Sequence, residues 1–148
     1  MDWNATRPGE VEGGATDRVD ATLRFIGTLR TPFARREDCP RGAGPDGPIC
    51  RVEVDAPWQP ALLGLAEGQR VELLYWMHLA RRDLLVQAPR HRDSGPIGTF
   101  ALRSPNRPNP VATAIVTVVG VEPGVLLVRG LDCVDGTKLV DIKPDWKR

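Results

Sequence analysis

Long apolar runs are missing from this chain. In 148 residues no hydrophobic stretch approaches the roughly 20 residues needed to span a bilayer. The first twenty residues, acidic and glycine-rich, hold no apolar segment of the signal-peptide kind, so neither membrane insertion nor export is expected. Cysteine is scarce: Cys39, Cys50 and Cys133 are odd in number and lack C-x-x-C spacing. That argues against a disulfide framework and a zinc site, and suits reduced thiols in a cytoplasmic protein. A surplus of one charge is also lacking, since 20 basic and 19 acidic residues leave a net charge of +1. The protein as a whole is therefore no general polyanion binder. Aromatics make up 5% of the chain, with a single tyrosine, which leaves few platforms for stacking bases. Helical periodicity is almost absent, and no G-x-G-x-x-G follows a strand, so the usual Rossmann site is not expected.

What remains is short, β-prone segments separated by turns. Residues 22–29 alternate as a first strand, ended by Thr31-Pro32-Phe33, and residues 49–54 alternate as a second. Residues 57–65 read as a short helical turn. Residues 70–78 (RVELLYWMH) read as a central strand covered on both faces. Residues 84–87 form a shorter strand, and 88–96 a basic loop. Residues 111–121 give the longest β signal, rich in Val, Ile and Thr. Glu122-Pro123-Gly124 turns the chain into a strand at 125–129, and Asp135-Gly136 into another at 138–142. The pattern predicts a mainly β domain, a small antiparallel β-barrel or sandwich of non-Rossmann type. Residues 1–20, with few apolar side chains, read as a flexible N-terminal tail ahead of a domain over 21–148.

Two loops draw attention. Residues 35–48 (RREDCPRGAGPDGP) are long and aperiodic, as functional or disordered loops are. The stretch from Gly98 to Pro110 starts as a strand over 98–102. It then stiffens, because Pro105, Pro108 and Pro110 each fix φ and hold the residue before them extended. A stiff loop loses little entropy on binding, and Arg103, Ser104, Asn106, Arg107 and Asn109 ride on it. Arg81, Arg82, Arg90, Arg92, Arg103 and Arg107 share one segment whose only acids are Asp83 and Asp93, a local surplus suited to phosphates.

The sequences TFALRSPNRPNP and GLDCVDGTKLVDIKPDW resemble the TsaA/TrmO-like family, over about residues 25–146. The resemblance selects the barrel. It implies a homodimeric enzyme that uses S-adenosylmethionine (SAM) to methylate N6 of a threonylcarbamoyl-modified adenosine in the tRNA anticodon loop. It further implies a cofactor site drawn from Pro40, Arg41 and Gly42, His78, Arg103, Thr113, Asp132, Asp135, Asp141 and Lys143. Arg103 matches the arginine of the family's ATRSP motif, and a guanidinium offers a rigid donor fork for carboxylate or ribose oxygens. Arg107, expected to face outward from mid-loop, is the candidate for an RNA phosphate, with Arg90 and Arg92. No residue is named as general base, and no metal is expected. Gly42 stands where the family more often has glutamine, Val111-Ala112-Thr113 where Ile-Gly-Leu is common, and Cys133 where an apolar residue is usual. Two alternatives stay open: a SAM-binding barrel with another substrate or a regulatory role, and a nucleic-acid-binding barrel without SAM.

Overall fold

A computed structural model describes residues 2–14 and 18–146. Among these the strands are β1 (Val11–Glu12), β2 (Gly27–Arg30), β3 (Cys50–Val54), β4 (Arg70–Trp76), β5 (Leu84–Gln87), β6 (Ile97–Gly98), β7 (Val111–Glu122), β8 (Val125–Arg129) and β9 (Thr137–Pro144). The chain divides into two compact units, Met1–Thr22 with Met77–Val111, and Leu23–Trp76 with Ala112–Arg148.

The second unit holds a closed barrel of strand order β2-β3-β8-β7-β4-β9. β2 pairs antiparallel with β3 and β9, β3 with β8, β8 with β7, and β4 with β9. Around a ring of six, those directions leave β4 and β7 antiparallel as well. Period-two patterning explains the closure. In β3, Cys50, Val52 and Val54 are buried while Arg51 is exposed. β4 buries Val71, Leu73 and Tyr75, β7 buries Val116 and Val118, and β8 buries Leu126 and Val128. These branched side chains fill the barrel interior. The other face of β4 is half-buried rather than fully covered.

Three irregularities shape the ring, one of them in β7, where Val118 pairs with Val128 but Gly120 with Leu127, so that Val119 is an extra residue. Leu74 pairs with Asp141 but Tyr75 pairs with Leu139, so Val140 is an extra residue in β9. This bulge turns Leu139 inward beside Tyr75 and leaves Asp141 and Lys143 on the outer face, opposite Leu74 and Glu72. At the start of β2, a methyl group on Gly27 would lie inside the Glu53 carbonyl, so only glycine lets the two backbones approach there.

The first unit is built on a three-stranded sheet of order β1-β5-β6. It departs from the sequence reading in three places. Residues 2–14, within the segment read as a tail, supply β1 and dock on β5. Val11 lies opposite Val86 and Glu12 opposite Leu84. The acidic and hydroxylic composition that suggested disorder instead supplies partners, as set out below; residues 1 and 15–17 of that segment lie outside the described residues. Second, the strand expected over 98–102 stops at Gly98, and Thr99–Ala101 is a 3-10 turn. The Thr99 side chain is the reason. Its buried hydroxyl donates to Leu84 O at 2.7 Å and accepts from Gln87 Nε2 at 2.9 Å, which pulls residue 99 out of any ladder. Third, β4 ends at Trp76, because the Met77 N–H leaves the strand to bond Pro110 O at 2.8 Å.

Candidate functional site

The sequence-predicted residues fall into two groups, one in each unit. In the barrel unit the centre is Asp132, on the loop between β8 and β9. Its Oδ1 accepts from the Tyr75 hydroxyl at 3.1 Å and its Oδ2 from the Gly42 N–H at 3.3 Å. One carboxylate thus bridges a barrel strand and the long loop of Pro40, Arg41 and Gly42. Gly42 reaches it at φ 69°, and a side chain there would find open space but a strained backbone. The spacing of Gly42, Gly44 and Gly47 imitates a dinucleotide fingerprint, yet it lies in a loop that leads into β3 and opens no helix. Asp132 is half-buried. A carboxylate has about four acceptor positions, so two protein donors leave it able to take an ammonium group.

Asp135 does different work. Its Oδ1 accepts from the Thr31 N–H at 3.0 Å, its own N–H donates to Phe33 O at 2.8 Å, and Arg30 lies 3.8 Å from its Oδ2. The Thr31 hydroxyl donates to Cys133 O at 2.7 Å. These bonds fasten residues 132–136 to the turn after β2. Between the two aspartates Cys133 is 1% exposed, and burial pushes its thiol up to about 12. It packs as the apolar residue it replaces, and a thiol held so far above neutrality is no nucleophile. Asp141 and Lys143 pair with each other at 3.0 Å on the outer face of β9. Thr113 is half-buried in β7. Among the described residues no cluster of three His, Cys, Asp or Glu side chains is placed to hold a metal.

In the other unit, His78 is exposed in the turn after β4, and Arg103 is exposed on the proline-rich loop. Arg107 is not directed outward. Its guanidinium turns back to donate to Leu102 O at 3.1 Å and to Ser104 O at 2.9 Å. Carbonyls left without ladder partners by a proline-rich backbone attract such a donor. Asn106 Oδ1 accepts from the Arg81 N–H at 3.0 Å, and Ser104 Oγ from the Asn106 N–H at 3.2 Å. Buried Gln87 Nε2 donates to Asn106 O at 2.7 Å, and Arg82 Nε to Pro108 O at 2.7 Å. The loop is therefore held by side chains as much as by its prolines. Of the remaining arginines, Arg90 sits over the Trp3 ring at 5.3 Å from its centre, and Arg92 is exposed.

Sequence reasoning missed Tyr75 and Gln87, and took Arg81 for part of a phosphate-binding surplus. Gln87 carried a signal, being an amide at the end of an otherwise apolar strand. Tyr75 lay within a strand read as central and covered on both faces.

The family model described as the tRNA-methyltransferase O N-terminal domain matches residues 28–148. The chain belongs to this family. A curated relative from Rhizobium radiobacter, "Probable S-adenosyl-L-methionine-binding protein VirR", is 46% identical over 94% of this chain and 79% of its own length. A "Probable S-adenosyl-L-methionine-binding protein" of Methanothermobacter thermautotrophicus is 35% identical over 87% of this chain and 93% of its own. Among solved structures, "Crystal structure of TrmO from Pseudomonas aeruginosa" aligns with a TM-score of 0.69 at 31% identity, covering 86% of this chain. This chain spans 57% of that structure's length, and 33% of an Archaeoglobus fulgidus relative 37% identical to it.

Proposed function

We propose that this protein is a SAM-dependent methyltransferase whose acceptor is N6 of a threonylcarbamoyl-modified adenosine in the tRNA anticodon loop. Membership of the tRNA-methyltransferase O family carries this reading. Relatives named as SAM-binding proteins support the cofactor, and the TrmO structure supports the acceptor class. In this reading the Asp132 carboxylate, held by Tyr75 and the Gly42 N–H, takes the ammonium of the methionyl group, beside Pro40 and Arg41. Arg103, for its carboxylate or the ribose, and His78 and Thr113 are proposed as cofactor contacts on the family resemblance alone. Asp135 shapes the loop that carries Asp132, and the Asp141–Lys143 pair presents charge on the outer face of β9. Arg90 and Arg92 meet RNA phosphates. Methyl transfer from a sulfonium requires little covalent help, so positioning and exclusion of water supply most of the rate. The protein works as a cytoplasmic homodimer.

Calorimetric titration with SAM, followed by transfer of a radiolabelled methyl group to tRNA carrying the threonylcarbamoyl modification, tests the proposal. Saturation at one SAM per chain with label recovered at the modified adenosine is the expected result. SAM binding without transfer to tRNA would favour a binding or regulatory protein, as the relatives' printed names allow. No SAM binding at all would overturn the reading.

A further inference from the structure

Arg81 connects two segments that are remote in sequence. Its guanidinium is bidentate on Asp83, with Nε 3.0 Å from Oδ1 and the second terminal nitrogen 2.9 Å from Oδ2. The same nitrogen lies 3.0 Å from Glu12 Oε1, and the other donates to Asn4 O at 3.0 Å and to Thr6 Oγ1 at 2.6 Å. Thr6 Oγ1 in turn donates to Glu12. The whole donor fork is thus spent, mostly on residues 4–12, and the side chain is 14% exposed. Bonds to the Asp83 and then the Glu12 carboxylates hold the guanidinium more firmly protonated than usual. The backbone of Arg81 meanwhile serves the proline-rich loop: its N–H donates to Asn106 Oδ1 at 3.0 Å, and its carbonyl accepts from the Arg107 N–H at 3.1 Å.

Residues 2–14 are fastened at further points. The Gly13 N–H bonds Asp83 O, Glu10 accepts from the Ala88 N–H at 3.1 Å, and β1 pairs with β5. This segment lies outside the residues matched by the family model. The relative matched over 94% of the chain nevertheless extends into it.

We propose that residues 2–14 are a positioning element for the proline-rich loop of residues 103–110, acting through Arg81. A guanidinium clamped by the N-terminal segment fixes the backbone at residue 81, and that backbone fixes Asn106 and Arg107. The presentation of Arg103 then depends on a segment some ninety residues away in sequence. The consequence for cofactor affinity rests on the SAM reading; the coupling itself does not.

The test uses the full chain with Glu12→Gln and, separately, Arg81→Lys. Glu12→Gln changes an exposed side chain and keeps the fold; Arg81→Lys keeps the charge but loses the fork. Amide hydrogen exchange is followed across residues 103–110 and, as a control, across 125–129 in the barrel. Faster exchange at the Arg107 amide with β8 unchanged is expected, together with a rise in the SAM Kd of about threefold to tenfold and a KM rise exceeding any fall in kcat. If exchange quickens only within residues 2–14 and 81–86 while that over 103–110 stays at the wild-type rate, the segment is merely structural and the proposal is overturned. Wild-type protein that binds no SAM would sink the cofactor reading alone, and exchange would still decide the coupling.

Discussion

Tyr75→Phe removes one hydroxyl from a side chain that is 2% exposed, and leaves the ring volume unchanged. No cavity forms, and the 3.1 Å bond to Asp132 is lost. A hydrogen bond to a charged group contributes about 1.5–3 kcal/mol when its partner is left dry. Asp132 is half-buried, and water can take up part of the vacated position, so about 1 kcal/mol is expected. For a chain of this size that lowers Tm by roughly 2–5 °C. The second effect is local. Without the tyrosine the carboxylate is free to swing, and the Gly42 N–H loses a fixed acceptor. The loop of Pro40, Arg41 and Gly42 should loosen, and the SAM Kd should rise by about threefold to tenfold. A double-mutant cycle with Asp132→Asn isolates the pair, read by thermal melts and calorimetric titration. Coupling of at least about 0.5 kcal/mol is expected between residues in direct contact. Strict additivity in both readouts would show that the two groups act independently, and the argument for Tyr75 as a positioning residue would fail.

The two loop arginines should separate. Arg103→Ala should weaken SAM binding by about tenfold or more with little change in melting, whereas Arg107→Ala, which strips donors from Leu102 O and Ser104 O, should lower Tm and SAM affinity together. An Arg107→Ala protein with wild-type melting and a loss confined to RNA affinity would restore the outward-facing role. Glu10 supplies a pH dependence. Burial pushes its carboxyl up, but the Arg7 and Ala88 N–H groups and the Arg7 guanidinium more than offset this, so its pKa is lowered from 4.5. The folded state therefore gains stability above that value and loses it as the pH falls below. The melting difference between wild type and Glu10→Gln should narrow from pH 7 to pH ~3.5, and a constant difference would contradict the assignment. Alkylation with iodoacetamide near pH 8 should label Cys39 well before Cys133, whose thiol ionises only at about 12; prompt labelling of Cys133 would show that the loop opens.

The strands were legible because their physics is local, whereas the choice of barrel over sandwich came from the family resemblance. Alternation in residues 50–54 and 125–129 tells which side chains face inward, and Pro123-Gly124 marks the turn between β7 and β8. The bulge at Val140 was not legible. Residues 137–144 carry no break in pattern that marks it, and the register of a closed ring is decided by its neighbours. The partners of the N-terminal segment were not legible for a related reason. Low hydrophobicity argues for disorder when polar groups face water, but Glu10 and Glu12 bond backbone and guanidinium groups supplied some seventy residues later. Composition does not record partners at that distance.

The arginines show where reading by residue type stops. Six of them between residues 81 and 107 suggested a phosphate-binding surface. Two groups with the same charge and the same donors can do opposite things, and the deciding variable is the number of carbonyls left unserved nearby. The prolines remove backbone donors from the loop, which leaves acceptors at Leu102, Ser104 and Pro108. Arg107 and Arg82 fill these. Arg81 is consumed by two carboxylates. Arg103, Arg90 and Arg92 keep exposed positions, Arg90 over the Trp3 ring. The loop's stiffness and its choice of exposed arginine thus have one origin: the prolines that fix the backbone also create the acceptors that draw the neighbouring guanidinium groups inward.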